Sequence, residues 1–301
     1  MKLSVVVPCY NECETIDEFH ASLSIALIKE KIDYELIMVD DGSTDDTYVK
    51  LNDIYEEDKN VKVIRFSRNF GKESAMLAGL EASTGDYIAI MDADMQHTPE
   101  VLLQMYNKLL DNNEYDIVAS YKDSRGDERT LKRALTALFY RINNFISNVK
   151  LLPGASDFRV FKKSVRDAIV SLPEKERFLK GIFSWIGFNT MYVPYTPEKR
   201  KYGTSKWSVF KLIKYSVSGI ISFSNKPLRL IVKLGVLALI LGLINFILLG
   251  SLGHKTIILL LGIILLCMGI IALYVSRIYT NTLNRPAYII KEKLGFKKTT
   301  K

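Results

Sequence analysis

Two aspartates separated by one residue form a candidate metal site in this sequence. Asp92 and Asp94 flank Ala93 directly after an apolar run at residues 87–91, and Gln96 follows two positions later. Carboxylate and amide oxygens suit a hard cation, and Mg2+ or Mn2+ usually combines a few carboxylates with substrate phosphates. We therefore expect Asp92, Asp94 and Gln96 to hold Mg2+ or Mn2+, which would stabilise a departing nucleoside diphosphate.

Polar residues also follow two earlier apolar runs. Residues 8–12 come after the run 3–7, and residues 40–43 come after the run 34–39. Ligands of open α/β sheets bind beyond the carboxyl ends of the strands, so these segments should face one crevice. Turns and helix caps explain some of these polar residues but not the convergence of several carboxylates. Carboxylates that lie close together repel one another unless a cation is bound between them. The converging carboxylates are Glu12, Asp40, Asp41, Asp92 and Asp94, of which Asp41 is placed to accept a hydrogen bond from a base edge.

The elements that position these residues alternate along the first half of the chain. Short β-branched runs predict strands, and the longer patterns between them predict helices. This alternation predicts the α/β class, with a doubly wound, mostly parallel sheet. The strands are expected at 3–7, 34–39, 61–66, 87–91 and 116–120, and the helices near 14–30, 45–57, 72–82 and 99–110.

The composition changes near Pro227. Residues 234–253 and 256–276 contain no charged side chain, and helices of that length reach roughly 30 Å, the thickness of a bilayer core. A hairpin of two transmembrane helices is therefore predicted at about 231–253 and 256–276. The expected domains are a soluble α/β domain at 1–226, the hairpin within 227–280 and a basic tail at 281–301.

Basic residues surround both apolar spans. Only Lys255 lies in the turn between them, and the start of the chain shows no signal-peptide pattern. The excess of positive charge therefore predicts a protein of the cell membrane with its large domain and both termini in the cytoplasm. The net charge of +8 fits anionic lipid better than nucleic acid. The flanking residues are Lys226, Arg229, Lys233, Arg277, Arg285, Lys291, Lys293, Lys297, Lys298 and Lys301.

Two amphipathic segments have two open interpretations. Residues 131–149 and 207–223 are expected either to pack on the soluble domain or to lie on the membrane surface. In the second case Lys132 and Arg133 would meet a lipid phosphate.

Several chemistries are disfavoured by missing patterns. Neither G-x-G-x-x-G after the first run nor G-x-x-x-x-G-K-[ST] is present, which counts against dinucleotide oxidoreductases and P-loop enzymes. Cys9, Cys13 and Cys267 form no C-x-x-C pair, and only three histidines occur. Neither a disulfide framework nor a zinc site is therefore expected.

Five segments in this order resemble glycosyltransferase family 2. They are SVVVPCYNE, VDDGSTDDT, GDYIAIMDADMQHTPE, GASDFRVF and RKYGTSKW, and the two apolar spans follow them. Within the family, the chain from residue 3 to about 280 resembles the polyprenyl-phosphate glycosyltransferases, which include dolichyl-phosphate mannose synthases and bactoprenol glucosyltransferases. The resemblance implies a GT-A fold, inversion at the anomeric carbon and transfer of one sugar to undecaprenyl phosphate. Likeness to the bactoprenol branch in LFYRINNFIS and RFLKGIFSWIGF favours a UDP-sugar, with glucose or N-acetylglucosamine preferred.

The resemblance also assigns roles to residues. Asp157 is implied as a catalytic carboxylate together with Asp94. Relatives often place an arginine after the serine that closes the fifth strand, but Tyr121 and Lys122 follow Ser120 here. The acceptor phosphate is therefore assigned to Lys122 with Lys132 and Arg133, and Arg125 is an alternative to Lys122. The resemblance also implies that Asp94 and Gln96 bind the metal. The residues implied to bind the nucleotide-sugar are Pro8, Tyr10, Glu12, Val39, Asp41, Asp92, Ala93, Asp94, Arg200 and Lys206.

A phosphate acceptor changes what Asp157 must do. The second pKa of a phosphate monoester is about 6, so the nucleophile is already ionised near neutral pH. We therefore expect Asp157 to orient the acceptor or the sugar rather than to remove a proton.

Other functions remain as alternatives. A processive synthase is disfavoured because no Q-x-x-R-W motif follows the catalytic region. A non-catalytic membrane scaffold with a nucleotide-binding fold and a mannose synthase that uses GDP-mannose stay open. Glycines in the spans leave a homo-oligomer open, and a flippase partner is also open.

Overall fold

The computed structural model describes residues 1–122, 140–141, 144–145, 147, 149–150, 152–175, 177–196, 219–249 and 254–296. The chain divides into two compact units. The first comprises Met1–Arg133, Leu151–Lys206 and Pro286–Lys301, and the second comprises Ala134–Lys150 and Trp207–Arg285.

Eight strands and eight helices form the regular structure within the described residues. The strands are β1 (Lys2–Cys9), β2 (Asp33–Asp40), β3 (Val61–Phe66), β4 (Tyr87–Ile90), β5 (Ile117–Lys122), β6 (Ala155–Lys162), β7 (Thr190–Tyr195) and β8 (Ile290–Leu294). The helices are α1 (Ile16–Lys29), α2 (Thr47–Glu57), α3 (Lys72–Ala82), α4 (Pro99–Asp111), α5 (Lys163–Ser171), α6 (Leu179–Trp185), α7 (Lys226–Leu249) and α8 (His254–Thr282).

The first unit contains a single mixed sheet in the order β7-β5-β6-β4-β1-β2-β3-β8. β6 runs antiparallel to β4 and β5, β8 runs antiparallel to β3, and the remaining neighbours pair in parallel. The prediction of an α/β fold with a mostly parallel sheet is therefore confirmed. All five predicted strands and all four predicted helices are present, with ends shifted by two residues at most.

Helices cover both faces of the sheet because successive strand residues point in opposite directions. In β2, Leu36 and Met38 join the core beneath α1, α2 and α4, whereas Ile37 and Val39 join a second core beneath α3. Most of the wholly buried strand residues are apolar, which is typical of a sheet covered on two sides.

A buried carboxylate stabilises the end of the sheet opposite the predicted crevice. Glu35 is 2% exposed and accepts hydrogen bonds from Lys62 Nζ at 2.7 Å, Ser4 Oγ at 2.6 Å and the Thr84 N–H at 2.6 Å. Burial by itself would raise the pKa of Glu35, but these hydrogen bonds outweigh it and lower the pKa to about 2. The network fixes β1, β2 and β3 relative to the segment that leads into β4.

The region after the second apolar helix differs from the prediction. Residues 281–301 were expected to form a basic tail, but β8 completes the sheet by pairing with β3. The Tyr288 ring stacks on Phe66 with 4.9 Å between the ring centroids, and the Ser67 N–H donates to the Ile289 carbonyl at 3.0 Å. Charged residues at 291–293 conceal this strand in the sequence, because an edge strand exposes one face and tolerates charge.

The two helices of the second unit are long and apolar. Windows at Lys226–Asn245 and Leu260–Thr282 have mean hydropathies of 2.2 and 2.3, and none of their residues is buried within the protein. Each is long and apolar enough to cross a membrane. α7 begins at Lys226, a few residues before the predicted start of the first span. The Tyr274 hydroxyl donates to the Ser224 carbonyl at 2.7 Å, which ties α8 to the segment before α7.

The two predicted amphipathic helices lie almost wholly outside the described residues. Only scattered positions of 131–149 and the last five residues of 207–223 are described. Their assignment to the membrane surface or to the protein core stays a prediction.

Candidate active site

The loops that follow β1 and β2 are hydrogen bonded to each other. The Asn11 N–H donates to Ser43 Oγ at 3.0 Å, and the Thr44 N–H donates back to Asn11 Oδ1 at 2.9 Å. The Glu12 N–H donates to Thr47 Oγ1 at 2.8 Å. The two segments predicted to share a crevice are therefore neighbours, and they bring Pro8, Tyr10 and Glu12 to the edge that carries Asp41.

Asp41 anchors a third loop, which leads from β3 to α3. Its carboxylate accepts the Phe70 N–H at 2.7 Å and the Gly71 N–H at 2.9 Å, and the residue is 3% exposed. Burial raises the pKa of Asp41 to about 6 despite these hydrogen bonds. Gly42 has a φ of +66°, and a Cβ there would lie 2.4 Å from the Arg68 carbonyl carbon. Only glycine allows this close approach.

The side chains of Asp40 and Val39 are buried in the core and do not line the crevice. Asp40 is fully buried, accepts the Ser43 N–H at 2.9 Å and lies 3.6 Å from Arg65 Nε. The expectation that five carboxylates repel one another around one cation is therefore wrong for Asp40, because Arg65 compensates its charge. The Val39 side chain is fully buried, so a contact with a nucleotide would come from its backbone.

The segment after β4 carries the predicted metal ligands. The Gln96 N–H donates to Asp94 Oδ1 at 3.2 Å, Met95 adopts a φ of +59°, and Ala93 is buried. Both oxygens of Asp92 lie within 2.8 Å of Lys72 Nζ, so an ammonium group compensates this carboxylate.

The donor set fits a hard cation that depends on its substrate for the remaining ligands. Among the described residues, no group of three or more His, Cys, Asp or Glu is arranged to hold a metal ion. Asp92 and Asp94 with the Gln96 amide would give a small set of oxygen ligands. Mg2+ and Mn2+ accept such a set when phosphates complete the coordination.

Asp157 lies next to this segment and contacts two lysines. Lys72 Nζ is 3.0 Å from Asp157 Oδ2, and Lys180 Nζ is 3.9 Å from Asp157 Oδ1. Burial disfavours the charged form of Asp157, but Lys180, Lys72 and Arg159 outweigh it and hold the pKa of Asp157 well below its usual range. The Asp92 and Asp157 carboxylates likewise keep the pKa of Lys72 well above its ordinary value. Asp157 and Lys72 are therefore both charged near neutral pH.

His97 connects the metal-ligand segment with two further strands. Its Nε2 lies 2.9 Å from the Tyr195 hydroxyl and 3.2 Å from Ser156 Oγ, and its ring packs on Phe158. The residue is buried, and burial lowers the pKa of His97, so the ring is neutral at physiological pH. His97 therefore acts as a structural link.

The order of the strands arranges the site along the edge of the sheet. Asp41 follows β2, Glu12 follows β1, Asp92 follows β4, and Asp157 lies at the start of β6, which are consecutive neighbours. Strands lie about 4.8 Å apart, so this row extends over roughly 14 Å. An extended nucleotide-sugar can lie along such a row, from a base at Asp41 to a reacting sugar near Asp157.

The structure describes only part of the predicted binding set. Arg200, Lys206, Lys132 and Arg133 lie outside the described residues. Lys122 ends β5 in register with Tyr195, which brings its backbone to the carboxyl edge.

The sequence analysis missed Lys72, Lys180 and His97 as members of the site. Lys72 lies in the segment after β3, which is a parallel strand. Ligands of open α/β sheets bind beyond the carboxyl ends of such strands, so the rule that singled out the residues after β1, β2 and β4 could also have found Lys72. Lys180 had no such signal, since it lies on α6, which was not predicted.

Comparisons with known protein sequences point to one enzyme family. The family described as Glycosyl transferase family 2 matches residues 4–170. The chain is 39% identical to the putative glycosyltransferase CsbB of Bacillus subtilis, covering 96% of this chain and 91% of the relative. It is 34% identical to the bactoprenol glucosyl transferase of Shigella phage SfX, covering 97% and 100%.

The solved structures show the same fold. Glucosyl-3-phosphoglycerate synthase from Mycobacterium tuberculosis, in a complex with Mn2+, UDP and phosphoglyceric acid, matches with a TM-score of 0.51 and 23% identity. The match covers 73% of this chain and 76% of that one. This supports a GT-A-like fold for the first unit, which contains the candidate active site and is called the catalytic unit below. On the family match, the near full-length relatives and the arrangement of the site, the chain belongs to glycosyltransferase family 2.

Proposed function

We propose that this glycosyltransferase transfers one sugar from a UDP-sugar to a polyprenyl phosphate, with inversion, at the cytoplasmic face of a membrane. The observation that carries the proposal is the extent of similarity to the bactoprenol glucosyl transferase of phage SfX. It covers 97% of this chain and therefore includes the catalytic unit and both apolar helices. The name of that relative favours glucose as the sugar and undecaprenyl phosphate as the acceptor.

The donor would lie along the row of carboxylates. Asp41 would accept a hydrogen bond from the base, and Pro8, Tyr10, Glu12 and the Val39 backbone would line the nucleotide. Asp92, Ala93 and Asp94 would meet the diphosphate and the sugar. A divalent cation held by Asp92, Asp94 and Gln96 supplies Lewis-acid stabilisation of the diphosphate when it is bound. The Mn2+ and UDP bound by the M. tuberculosis enzyme are consistent with this assignment.

The reaction would form one bond and break one bond at the anomeric carbon. An oxygen of the lipid phosphate attacks from the side opposite to the diphosphate, and the electron pair of the broken bond leaves with UDP. No proton has to move, because a phosphate monoester is largely dianionic near neutral pH. The low pKa of Asp157 also makes its carboxylate a weak base.

Asp157→Asn is expected to keep at least about a tenth of wild-type turnover at about pH 7.5, since an essential general base contributes about 10²- to 10⁴-fold. Asparagine retains an oxygen that can accept the Lys72 hydrogen bond, although it removes the charge. The measurement is the initial rate of sugar transfer with both substrates saturating. A loss of 10³-fold or more, in a variant that melts like the wild type, would instead assign proton removal to Asp157.

The path of the chain supports the proposed orientation in the membrane. β8 follows the second apolar helix and belongs to the same sheet as β1, which precedes the first. A chain that leaves this sheet for the first apolar helix and returns to it after the second would have both ends of the hairpin on one side of a membrane. Lys226, Arg229 and Lys233 near the first span, with Arg277 and Arg285 after the second, favour the cytoplasmic side.

Radiolabel transfer from a panel of UDP- and GDP-sugars into butanol-extractable undecaprenyl phosphate tests the function. We expect one labelled lipid, formed from UDP-glucose, with Mg2+ or Mn2+ required and EDTA inhibitory. Labelling only from GDP-mannose would assign the enzyme to the mannose synthases. No transfer from any donor by folded protein would favour a non-catalytic scaffold.

A further inference from the structure

We propose that Lys72 and Lys180 form the binding site for the acceptor phosphate, with Asp157 holding the two ammonium groups in place between turnovers. This inference rests on the proposed function, because it identifies the groups that would recognise the lipid phosphate. It also answers the question raised by Tyr121 and Lys122, which stand where relatives often have an arginine.

The geometry of the two lysines suits an anion. Lys72 reaches Asp157 from the start of α3, and Lys180 reaches its other oxygen from α6. Lys180 Nζ also donates to the Ala155 carbonyl at 3.1 Å, which fixes its position at the start of β6. The side chains of Lys72 and Lys180 are 36% and 26% exposed, so a ligand can reach them.

The charges within this group are unequal. Lys72 and Lys180 supply two positive charges against the single negative charge of Asp157. Asp92 supplies the second negative charge by chelating Lys72. A donor complex that engages Asp92 would leave Lys72 with one carboxylate partner, and the group would then carry a surplus positive charge. A phosphate monoester supplies the missing negative charge, and each ammonium group can donate to it.

The strand order separates this site from the nucleotide. Asp157 lies on β6, where the Lys180 side chain of α6 reaches it, whereas Asp41 and the predicted nucleotide residues lie at β1 and β2, with β4 between them. The leaving diphosphate is expected at Asp92 and Asp94, after β4. The acceptor must approach the sugar from the side opposite to that diphosphate, which places its phosphate towards Asp157.

The test uses full-length protein in detergent micelles and compares Lys72→Met and Lys180→Met with Lys59→Met. Lys59 lies in an exposed turn before β3 and serves as the matched control for loss of a lysine charge. For each protein, the KM for undecaprenyl phosphate and the KM for the UDP-sugar are measured. Binding of farnesyl phosphate and of uncharged farnesol, without donor, provides a readout independent of turnover.

Each of the two variants is expected to raise the KM for undecaprenyl phosphate and the Kd for farnesyl phosphate by at least about tenfold. Farnesol binding and the Lys59→Met control should change by less than about twofold, and the donor KM should rise less than the KM for undecaprenyl phosphate. Lys72→Arg and Lys180→Arg should restore binding in part, which keeps the test valid if a methionine variant folds poorly.

Two results would overturn the inference. A rise confined to the donor KM would assign the lysines to the diphosphate, and unchanged affinity for farnesyl phosphate in both variants would exclude a phosphate site. If wild-type protein transfers sugar to no lipid phosphate, the proposed function fails, whereas the farnesyl phosphate measurement still decides the role of the lysines.

Discussion

Replacing Asp94 with asparagine is expected to lower kcat/KM for sugar transfer by about 10³-fold or more, which corresponds to about 4 kcal/mol of transition-state stabilisation. Asp94, like Asp92, is a predicted ligand of both the metal and the donor. Asparagine keeps an oxygen that can accept the Gln96 N–H, so the local turn is preserved while the negative charge is lost. The loss should therefore reflect the charge and not the shape of the loop.

Two measurements check this expectation. Initial rates of label transfer give the loss in kcat/KM, and titration of the protein with Mn2+ in the presence of UDP, followed by electron paramagnetic resonance, shows whether metal affinity falls. Asp53→Asn, at an exposed position of α2, is the matched control and should transfer sugar at the wild-type rate. If Asp94→Asn keeps more than about a tenth of wild-type kcat/KM, Asp94 does not hold the metal.

Asp41→Ala is expected to lower kcat/KM by at least about 10²-fold and to destabilise the catalytic unit by about 1–3 kcal/mol. The Asp41 carboxylate is the acceptor for the Phe70 and Gly71 N–H groups, so alanine removes both hydrogen bonds. Lys72 follows Gly71 directly, and displacement of this loop would move the lysine that bridges Asp92 and Asp157. Thermal melting and transfer rates measured on the same preparation separate the two effects.

Asp41→Asn distinguishes the effect of the negative charge from the effect of the hydrogen bonds that hold the β3–α3 loop. Its amide oxygen can replace Asp41 Oδ1, which receives both N–H groups, so the variant should stay within about 1 kcal/mol of wild type. The Asp41 pKa of about 6 means that the carboxylate becomes protonated as the pH falls through 6. Protonation weakens it as an acceptor for the base, so the donor KM of wild type should rise below pH 6, whereas Asp41→Asn should not show this additional rise. Identical profiles for the two proteins would show that Asp41 does not contact the base.

Lys72 links the parts of the candidate site through its contacts. Asp41 holds the loop before Lys72 on the proposed nucleotide side, and the Lys72 side chain contacts Asp92 and Asp157. Binding of one substrate should therefore change the contacts of Lys72 and, with them, the affinity for the other substrate. The proposed donor and acceptor sites are adjacent at this residue, which is consistent with transfer of one sugar at a time.

The α/β fold, the two apolar helices and the sheet edge that carries the candidate site could all be predicted from the sequence alone. Period-two and helical patterns record which side chains are buried, and carboxylates placed after β1, β2 and β4 must share an edge once those strands run in parallel. The glycosyltransferase assignment rested on several motifs that occur in a fixed order, and the family comparison confirmed it. These features are local, so a linear sequence displays them.

The pairing of the charges, in contrast, could be seen only in the folded protein. Asp40 and Asp41 are adjacent in sequence, yet one meets Arg65 and the other meets backbone N–H groups of the β3–α3 loop. Lys72 and Asp157 are 85 positions apart, and their contact depends on the insertion of antiparallel β6 beside β4. β8 was likewise concealed, because pairing at a sheet edge satisfies backbone groups and requires little of the side chains. Long-range pairing of this kind leaves no periodic trace in a sequence, so it has to be read from the fold.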